Sequence, residues 1–216
     1  VPTDQHGMCV DDLEPLLAEN HKIMYAIPTF QNPQGTTLSR QRRAKLAALL
    51  VKYNLPFIED DPYGELRYSG EKVPTMLQME AEYRGSTTLE GNVIYCGTFS
   101  KTLTPGLRIG WVAAALPVID KLVQVKQATD LHTSTLNQFI TYEVARDEDF
   151  LNQHIEMLRR VYRERRDLML ATMAEHFPAE VTWTRPESGL FTMETMPYHL
   201  TARDILKLAL EHDVAF

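Results

Sequence analysis

Cysteine is scarce in this sequence, and the positions of the two residues present exclude several kinds of site. Cys9 and Cys96 stand far apart in the chain and lack the spacing of paired metal ligands. The seven histidines form no HxH or HxxxH pair, so the sequence offers no zinc motif. We therefore predict reduced thiols, no bound metal ion and a cytoplasmic location, because thiols stay reduced in the cytoplasm.

Long apolar runs are missing as well. The sequence contains no stretch of about 18 apolar residues, the minimum for a helix that crosses a bilayer. Its first residues, VPTDQH, have neither the basic nor the apolar segment of a signal peptide. The first residue is not methionine, and we therefore expect that the N-terminus of a longer protein is absent.

Positive charge is in deficit, since 22 lysines and arginines accompany 29 aspartates and glutamates for a net charge of −7. This balance argues against a general binder of nucleic acid or of an anionic membrane. The longest basic run, at residues 159–166, is interrupted by Glu164 and followed by Asp167. Such interleaving is typical of a solvated, ion-paired helix face.

Short apolar runs alternate with amphipathic segments, which indicates an α/β fold. We predict strands at residues 22–27, 55–58, 92–96 and 108–115, with a helix capped by Ser39 between the first two. Pro117 suits the first turn of a helix whose Ile119, Leu122 and Val123 are expected to be buried. Strand, helix and strand in succession predict a mostly parallel sheet flanked by helices.

The last third of the chain has a different pattern. A long helix is predicted for residues 149–176, followed by short strands at residues 181–184 and 190–194 and a helix at residues 201–212. Locally paired strands beside helices are typical of a smaller α+β unit. We therefore predict a large domain at residues 1–148 and the start of a small domain at residues 149–216.

Polar side chains follow three of the predicted strands. Asn32 lies in the first loop, Asp60 and Tyr63 in the second, and Lys101 in a third loop that is rich in hydroxyl groups. In parallel sheets ligands bind at the carboxyl ends of the strands, so these loops should open on one edge. Burial depresses the pKa of a lysine and makes it a nucleophile that can form a Schiff base.

Each of these residues also has a simpler interpretation. Asn32 before a proline could be only a turn former, and Tyr63 could be part of the core. Arg108 could form a surface ion pair. The acidic triplet at residues 59–61 could bind Mg²⁺ through carboxylate oxygens.

Taken together, the motifs resemble those of the aspartate-aminotransferase-like family, the fold type I pyridoxal 5'-phosphate (PLP) enzymes. The resemblance is to the class I/II branch that includes 2-aminoadipate aminotransferases, and it runs over essentially the whole chain. The matching motifs are PTFQNPQG at residues 28–35, DDPY at residues 60–63, and TFSK at residues 98–101 with Arg108.

The resemblance implies a role for each residue of the motifs. Lys101 would form the internal aldimine with PLP and later move a proton on the substrate. Asp60, rather than its neighbour Asp61, would pair with the pyridinium nitrogen. The remaining implied cofactor contacts are Asn32 and Tyr63 to the phenolate oxygen, and Thr98, Ser100 and Arg108 to the phosphate.

The function that the resemblance implies is transfer of an amino group between an amino acid and a 2-oxo acid, in a homodimer. Family members place a glycine-rich turn and a stacking aromatic upstream, and a carboxylate-binding arginine downstream, of the matched region. We therefore expect the segment alone to be less than fully active. Two alternatives remain: the effector-sensing domain of a winged-helix transcription regulator, or another PLP enzyme such as a β-lyase or decarboxylase.

Overall fold

The computed structural model describes residues 1–216. Eight strands are present: β1 Thr3–Asp4, β2 Gly7–Met8, β3 Met24–Ala26, β4 Phe57–Asp61, β5 Val93–Thr98, β6 Gly110–Ala113, β7 Thr182–Trp183 and β8 Glu194–Thr195. The α-helices are α1 Glu14–Leu17, α2 Arg40–Lys52, α3 Met76–Arg84, α4 Leu116–Thr129, α5 Thr135–Ala145, α6 Glu148–His176 and α7 Ala202–Glu211, with 3₁₀ turns at Val10–Asp12 and Pro105–Leu107.

The central sheet has the strand order β3-β4-β5-β6. The pairs β3–β4 and β4–β5 are parallel, and β6 runs antiparallel to β5 along the far edge. Helices α2 and α3 lie in the connections between the parallel strands, as in βαβ units. The predicted α/β class with a mostly parallel sheet is thus confirmed.

One face of this sheet carries the core. Side chains from the sheet, α2 and α3 form a single buried cluster that includes Leu46, Leu50, Phe57, Met76 and Val93. Phe57 of β4 and Val93 of β5 alternate along their strands with side chains on the opposite face, because successive strand residues point to opposite sides. That opposite face is more open, and Tyr25 is 57% exposed there.

Several predicted elements were wrong in detail. The strand expected at residues 190–194 forms only at Glu194–Thr195, where β8 pairs with β7. The helical face of Leu122 and Val123 is exposed, because no other helix or strand packs extensively against α4.

The predicted cap of α2 is confirmed, since the side chain of Ser39 accepts a hydrogen bond from the backbone N–H of Arg42.

A buried guanidinium joins the sheet to the loop between β3 and α2. Arg43 is fully buried and donates to the carbonyl oxygens of Pro28 (2.9 Å), Leu38 (2.8 Å) and Pro74 (3.0 Å). It also donates to Thr29 Oγ1 at 2.8 Å. Both ends of the loop that carries the PTFQNPQG motif are therefore fixed by one side chain.

Glu59 of β4 lies 3.6 Å from Arg43 and is equally buried. Its two carboxylate oxygens accept hydrogen bonds from the backbone N–H groups of Met76 (2.8 Å) and Leu77 (3.1 Å), in the first turn of α3. Burial raises the pKa of Glu59 to about 7, and these hydrogen bonds and the charge of Arg43 offset only part of that effect. The same carboxylate thus links β4, α2 and α3.

No helix in the structure is both long enough and apolar enough to span a membrane.

Replacing Arg43 by Met should destabilise the protein by about 3–5 kcal/mol, because Glu59 and several buried carbonyl groups lose their partner. Urea denaturation at neutral pH measures this loss. The matched control is Arg40→Met in the same helix, whose ion pair with Glu82 is exposed and should contribute less than about 1 kcal/mol. Equal effects in the two variants would contradict the role given to Arg43.

The raised pKa of Glu59 predicts a pH dependence of stability. Between its usual pKa of 4.5 and the folded value of about 7, the folded state binds more protons than the unfolded state. The contribution of Glu59 is therefore complete below pH 4.5 and is lost as the pH rises through 7. Relative to Glu59→Gln, the unfolding free energy of the wild type should fall by about 3 kcal/mol over this range.

The measurement is a series of urea denaturations from pH 4.5 to 7.5 on the wild type, Glu59→Gln and the exposed control Glu82→Gln. The control should show no comparable trend. A constant difference between the wild type and Glu59→Gln across the series would show that burial does not perturb this carboxyl group.

Candidate active site

The carboxyl ends of β4 and β5 lie side by side. In the parallel register Asp60 faces Cys96 and Asp61 faces Gly97. On the other side of β4, Ala26 pairs with Glu59, which brings the loop that follows β3 to the same edge. The three polar loops predicted from the sequence therefore leave neighbouring strands at one edge of the sheet.

Asp60 and Asp61 point to opposite faces and have different partners. Asp61 accepts hydrogen bonds from the Tyr95 hydroxyl (2.8 Å) and from the backbone N–H of Gly64 (2.9 Å), and burial raises its pKa. Its carboxylate therefore stabilises the turn that carries Tyr63, and both of its partners belong to the chain itself. Asp60 accepts one hydrogen bond, from the Tyr25 hydroxyl to Oδ2 at 2.6 Å, and its Oδ1 accepts none from the chain.

Glu59 completes the acidic triplet, but its oxygens are occupied by backbone N–H groups on the core side of the sheet. Asp60 therefore points away from Glu59 and Asp61, whose oxygens are occupied by other groups, and no group of three possible metal ligands is found in the structure. This arrangement does not support the magnesium alternative, which requires several free carboxylate oxygens around one point.

Asn32 and Tyr63 come from different loops and meet at this edge. The polar contact of the Asn32 side chain acts to lower the pKa of Tyr63, but burial has the larger effect and raises it. Tyr63 is buried and packs edge-on against Phe191, with the ring centroids 5.8 Å apart. The core-packing interpretation of Tyr63 is thus correct for its ring, while its hydroxyl lies beside an amide.

The loop after β5 is ordered by its own hydroxyl groups. The backbone N–H of Ser100 donates to Thr98 Oγ1 at 3.1 Å, and Thr98 Oγ1 lies 3.0 Å from Ser100 Oγ and 3.1 Å from the Ile109 carbonyl oxygen. The backbone N–H of Phe99 also donates to Ile109 at 3.1 Å. These bonds hold residues 98–100 in a turn that places Lys101 three residues after the end of β5.

Two cations in this loop have no acidic partner. Lys101 is half-buried and forms no ion pair. Arg108 is exposed, has a left-handed backbone conformation with φ of 56°, and makes only a 3.4 Å hydrogen bond to the Pro105 carbonyl oxygen. The ion-pair interpretation of Arg108 is therefore wrong, and both cations are available to an anionic ligand.

The C-terminal unit contacts the same region. The Tyr68 hydroxyl donates to the Gly189 carbonyl oxygen at 2.6 Å. The Arg67 guanidinium lies 4.6 Å from the centroid of the Phe30 ring and donates to Glu187 at 2.7 Å. These contacts fix residues 187–191 against the loops that carry Asn32 and Tyr63.

Three of these residues were missed by the sequence analysis: Tyr25, Arg67 and Phe191. Tyr25 could be found only by placing β3 in register with β4, because the two hydrogen-bonded residues are 35 positions apart. Arg67 and Phe191 contact residues from distant segments, and no local pattern marks either position.

Two relatives match most or all of this chain in sequence. The chain is 42% identical over 222 aligned residues to aromatic-amino-acid aminotransferase 1 of Thermococcus litoralis, covering 100% of this chain and 51% of the relative. It is 36% identical to the uncharacterized HTH-type transcriptional regulator YisV of Bacillus subtilis, covering 93% of this chain and 40% of the regulator. The chain thus spans about half the length, or less, of these relatives.

A solved structure matches along the whole chain. LysN, an α-aminoadipate aminotransferase of Thermus thermophilus complexed with N-(5'-phosphopyridoxyl)-L-leucine, aligns with a TM-score of 0.91 and 37% identity. The match covers 100% of this chain and 54% of that structure. The sequence profile of the family described as aminotransferase class I and II matches residues 1–215. The chain therefore belongs to the aminotransferase class I and II family.

Proposed function

We propose that this chain provides the cofactor-binding part of a PLP-dependent aminotransferase. The observation that carries the proposal is the placement of Lys101 three residues after the end of β5, on the sheet edge where the neighbouring strand β4 presents a carboxylate oxygen of Asp60 without a partner. An amine and a carboxylate on one edge can bind the aldehyde carbon and the ring nitrogen of PLP.

The other residues of the edge fit the remaining groups of that cofactor. The amide of Asn32 and the hydroxyl of Tyr63 are neutral donors suited to its phenolate oxygen. The hydroxyls of Thr98 and Ser100, with the unpaired guanidinium of Arg108, suit its phosphate. The donor set therefore matches a ligand that carries a cationic ring nitrogen and two anionic ends.

The proposed chemistry assigns a separate task to each residue. When bound, PLP supplies the electron sink that allows an amino acid to lose its Cα proton. Lys101 Nζ would attach the cofactor and later hold and return the proton that moves from the Cα atom. Asp60 would keep the proton on the ring nitrogen, since an adjacent anion favours the charged form of a base.

The proposed substrates are an amino acid and a 2-oxo acid, which agrees with the names of the aminotransferases that the chain resembles. We also propose a homodimer in the cytoplasm, with residues 1–148 in the large domain and residues 149–216 at the start of the small domain. The start of α6 at Glu148, next to the proposed boundary, agrees with this division into domains.

A second candidate function is the effector-sensing domain of a transcription regulator. The similarity to YisV over 93% of the chain favours keeping it as an alternative. Such a protein would bind PLP at the same residues, but it would not turn over an amino acid and a 2-oxo acid.

The complete protein, mixed with PLP, should show the visible absorbance band of a lysine-bound cofactor, and Lys101→Ala should abolish that band. The reason is that Lys101 is the single lysine of the loop that follows β5. The matched control is Lys121→Ala in α4, an exposed lysine whose only hydrogen bond is to Gln124. It should keep the full band.

Multiple turnover of an amino acid with a 2-oxo acid then separates the two candidate functions. An intact band with turnover supports the aminotransferase, and an intact band without turnover supports the regulator or another PLP enzyme such as a β-lyase. A wild-type protein without the band, or a Lys101→Ala variant that retains it, would refute the proposed site.

A further inference from the structure

The single hydrogen bond that the chain provides to Asp60 comes from Tyr25. The Tyr25 hydroxyl donates to Asp60 Oδ2 at 2.6 Å, and no lysine, arginine or histidine forms an ion pair with this carboxylate. The other titratable groups that act on Tyr25 from the same region are Cys96 and Tyr63, both of which raise its pKa. Asp60 therefore depends on one phenol for its orientation.

The architecture of the sheet places this phenol beside the carboxylate. Tyr25 pairs with Ile58 in the parallel register of β3 and β4, so Tyr25, Ile58 and Asp60 share one face of the sheet. The Tyr25 ring reaches along that face to the end of β4. Because Tyr25 lies in a strand rather than in a loop, its backbone is held in register with β4, and this limits where the hydroxyl can lie.

Tyr25 acts as a donor over the whole physiological pH range. The hydrogen bond to Asp60 is the largest cause that raises the pKa of Tyr25 to about 12, with burial second. The phenol therefore stays protonated, and its proton points to Oδ2. This leaves Oδ1 to accept a hydrogen bond from a ligand.

We propose that Tyr25 is a positioning residue that orients the Asp60 carboxylate for the ring nitrogen of the bound cofactor. The inference rests on the proposed function, because it requires PLP at this edge of the sheet. Tyr25 itself makes no contact with the cofactor in this account and acts only through Asp60.

The test compares two ligands on the Tyr25→Phe variant of the complete protein. One is PLP, and the other is its 1-deaza analogue, in which a C–H group replaces the ring nitrogen. Equilibrium dissociation constants measured by fluorescence should show about tenfold weaker binding of PLP to the variant, the effect of losing one hydrogen bond to a charged group. Binding of the deaza analogue should be unchanged, because it makes no hydrogen bond with Asp60.

Two further variants serve as controls. Tyr83→Phe removes a hydroxyl that is exposed on α3 and forms no hydrogen bond, so it should bind both ligands like the wild type. In an Asp60→Asn background, adding Tyr25→Phe should leave PLP affinity unchanged, since the carboxylate on which Tyr25 acts is gone.

The outcomes separate this inference from the function on which it rests. Equal affinity of the wild type and Tyr25→Phe for PLP would overturn the role of Tyr25 while leaving the cofactor site intact. Equal weakening for PLP and the deaza analogue would also overturn it, because the effect would then be structural. Failure of the wild type to bind PLP would refute both proposals.

Discussion

The fully buried Arg43 guanidinium determines how the candidate site is held together. It bonds both ends of the loop that carries Asn32, through the Pro28 and Leu38 carbonyl oxygens, and it lies 3.6 Å from Glu59, the residue before Asp60. The contacts of Arg43 on the core side of the sheet therefore fix the backbone that carries the polar residues of the edge. A charge that is expensive to bury is retained here with a nearly complete set of hydrogen-bond partners.

The acidic triplet of β4 shows how strand alternation assigns different tasks to adjacent residues of like charge. Glu59 serves the core by binding the first turn of α3, and Asp61 organises the turn that presents Tyr63. Only Asp60 points to the open face, where its Oδ1 accepts no hydrogen bond from the chain. The structure thus supplies a physical reason for choosing Asp60 over Asp61, a choice that the sequence supported only through the spacing of a family motif.

The sequence was sufficient to locate the edge of the sheet but not the contacts that support it. Asn32, Asp60 and Lys101 could be found because each follows a recognisable apolar strand, and strand ends in a parallel sheet converge. Arg43 could not, since in a helix next to other basic residues it resembles a solvated cation. Tyr25 required the register between β3 and β4, which sequence patterns do not specify.

The most direct test of the account is to locate the covalent cofactor. The protein is incubated with PLP, reduced with borohydride so that the imine becomes a stable secondary amine, and digested for mass spectrometry. A single phosphopyridoxyl group is expected, on the peptide that contains Lys101. Modification at another lysine, or spread over several exposed lysines without enrichment at Lys101, would contradict it.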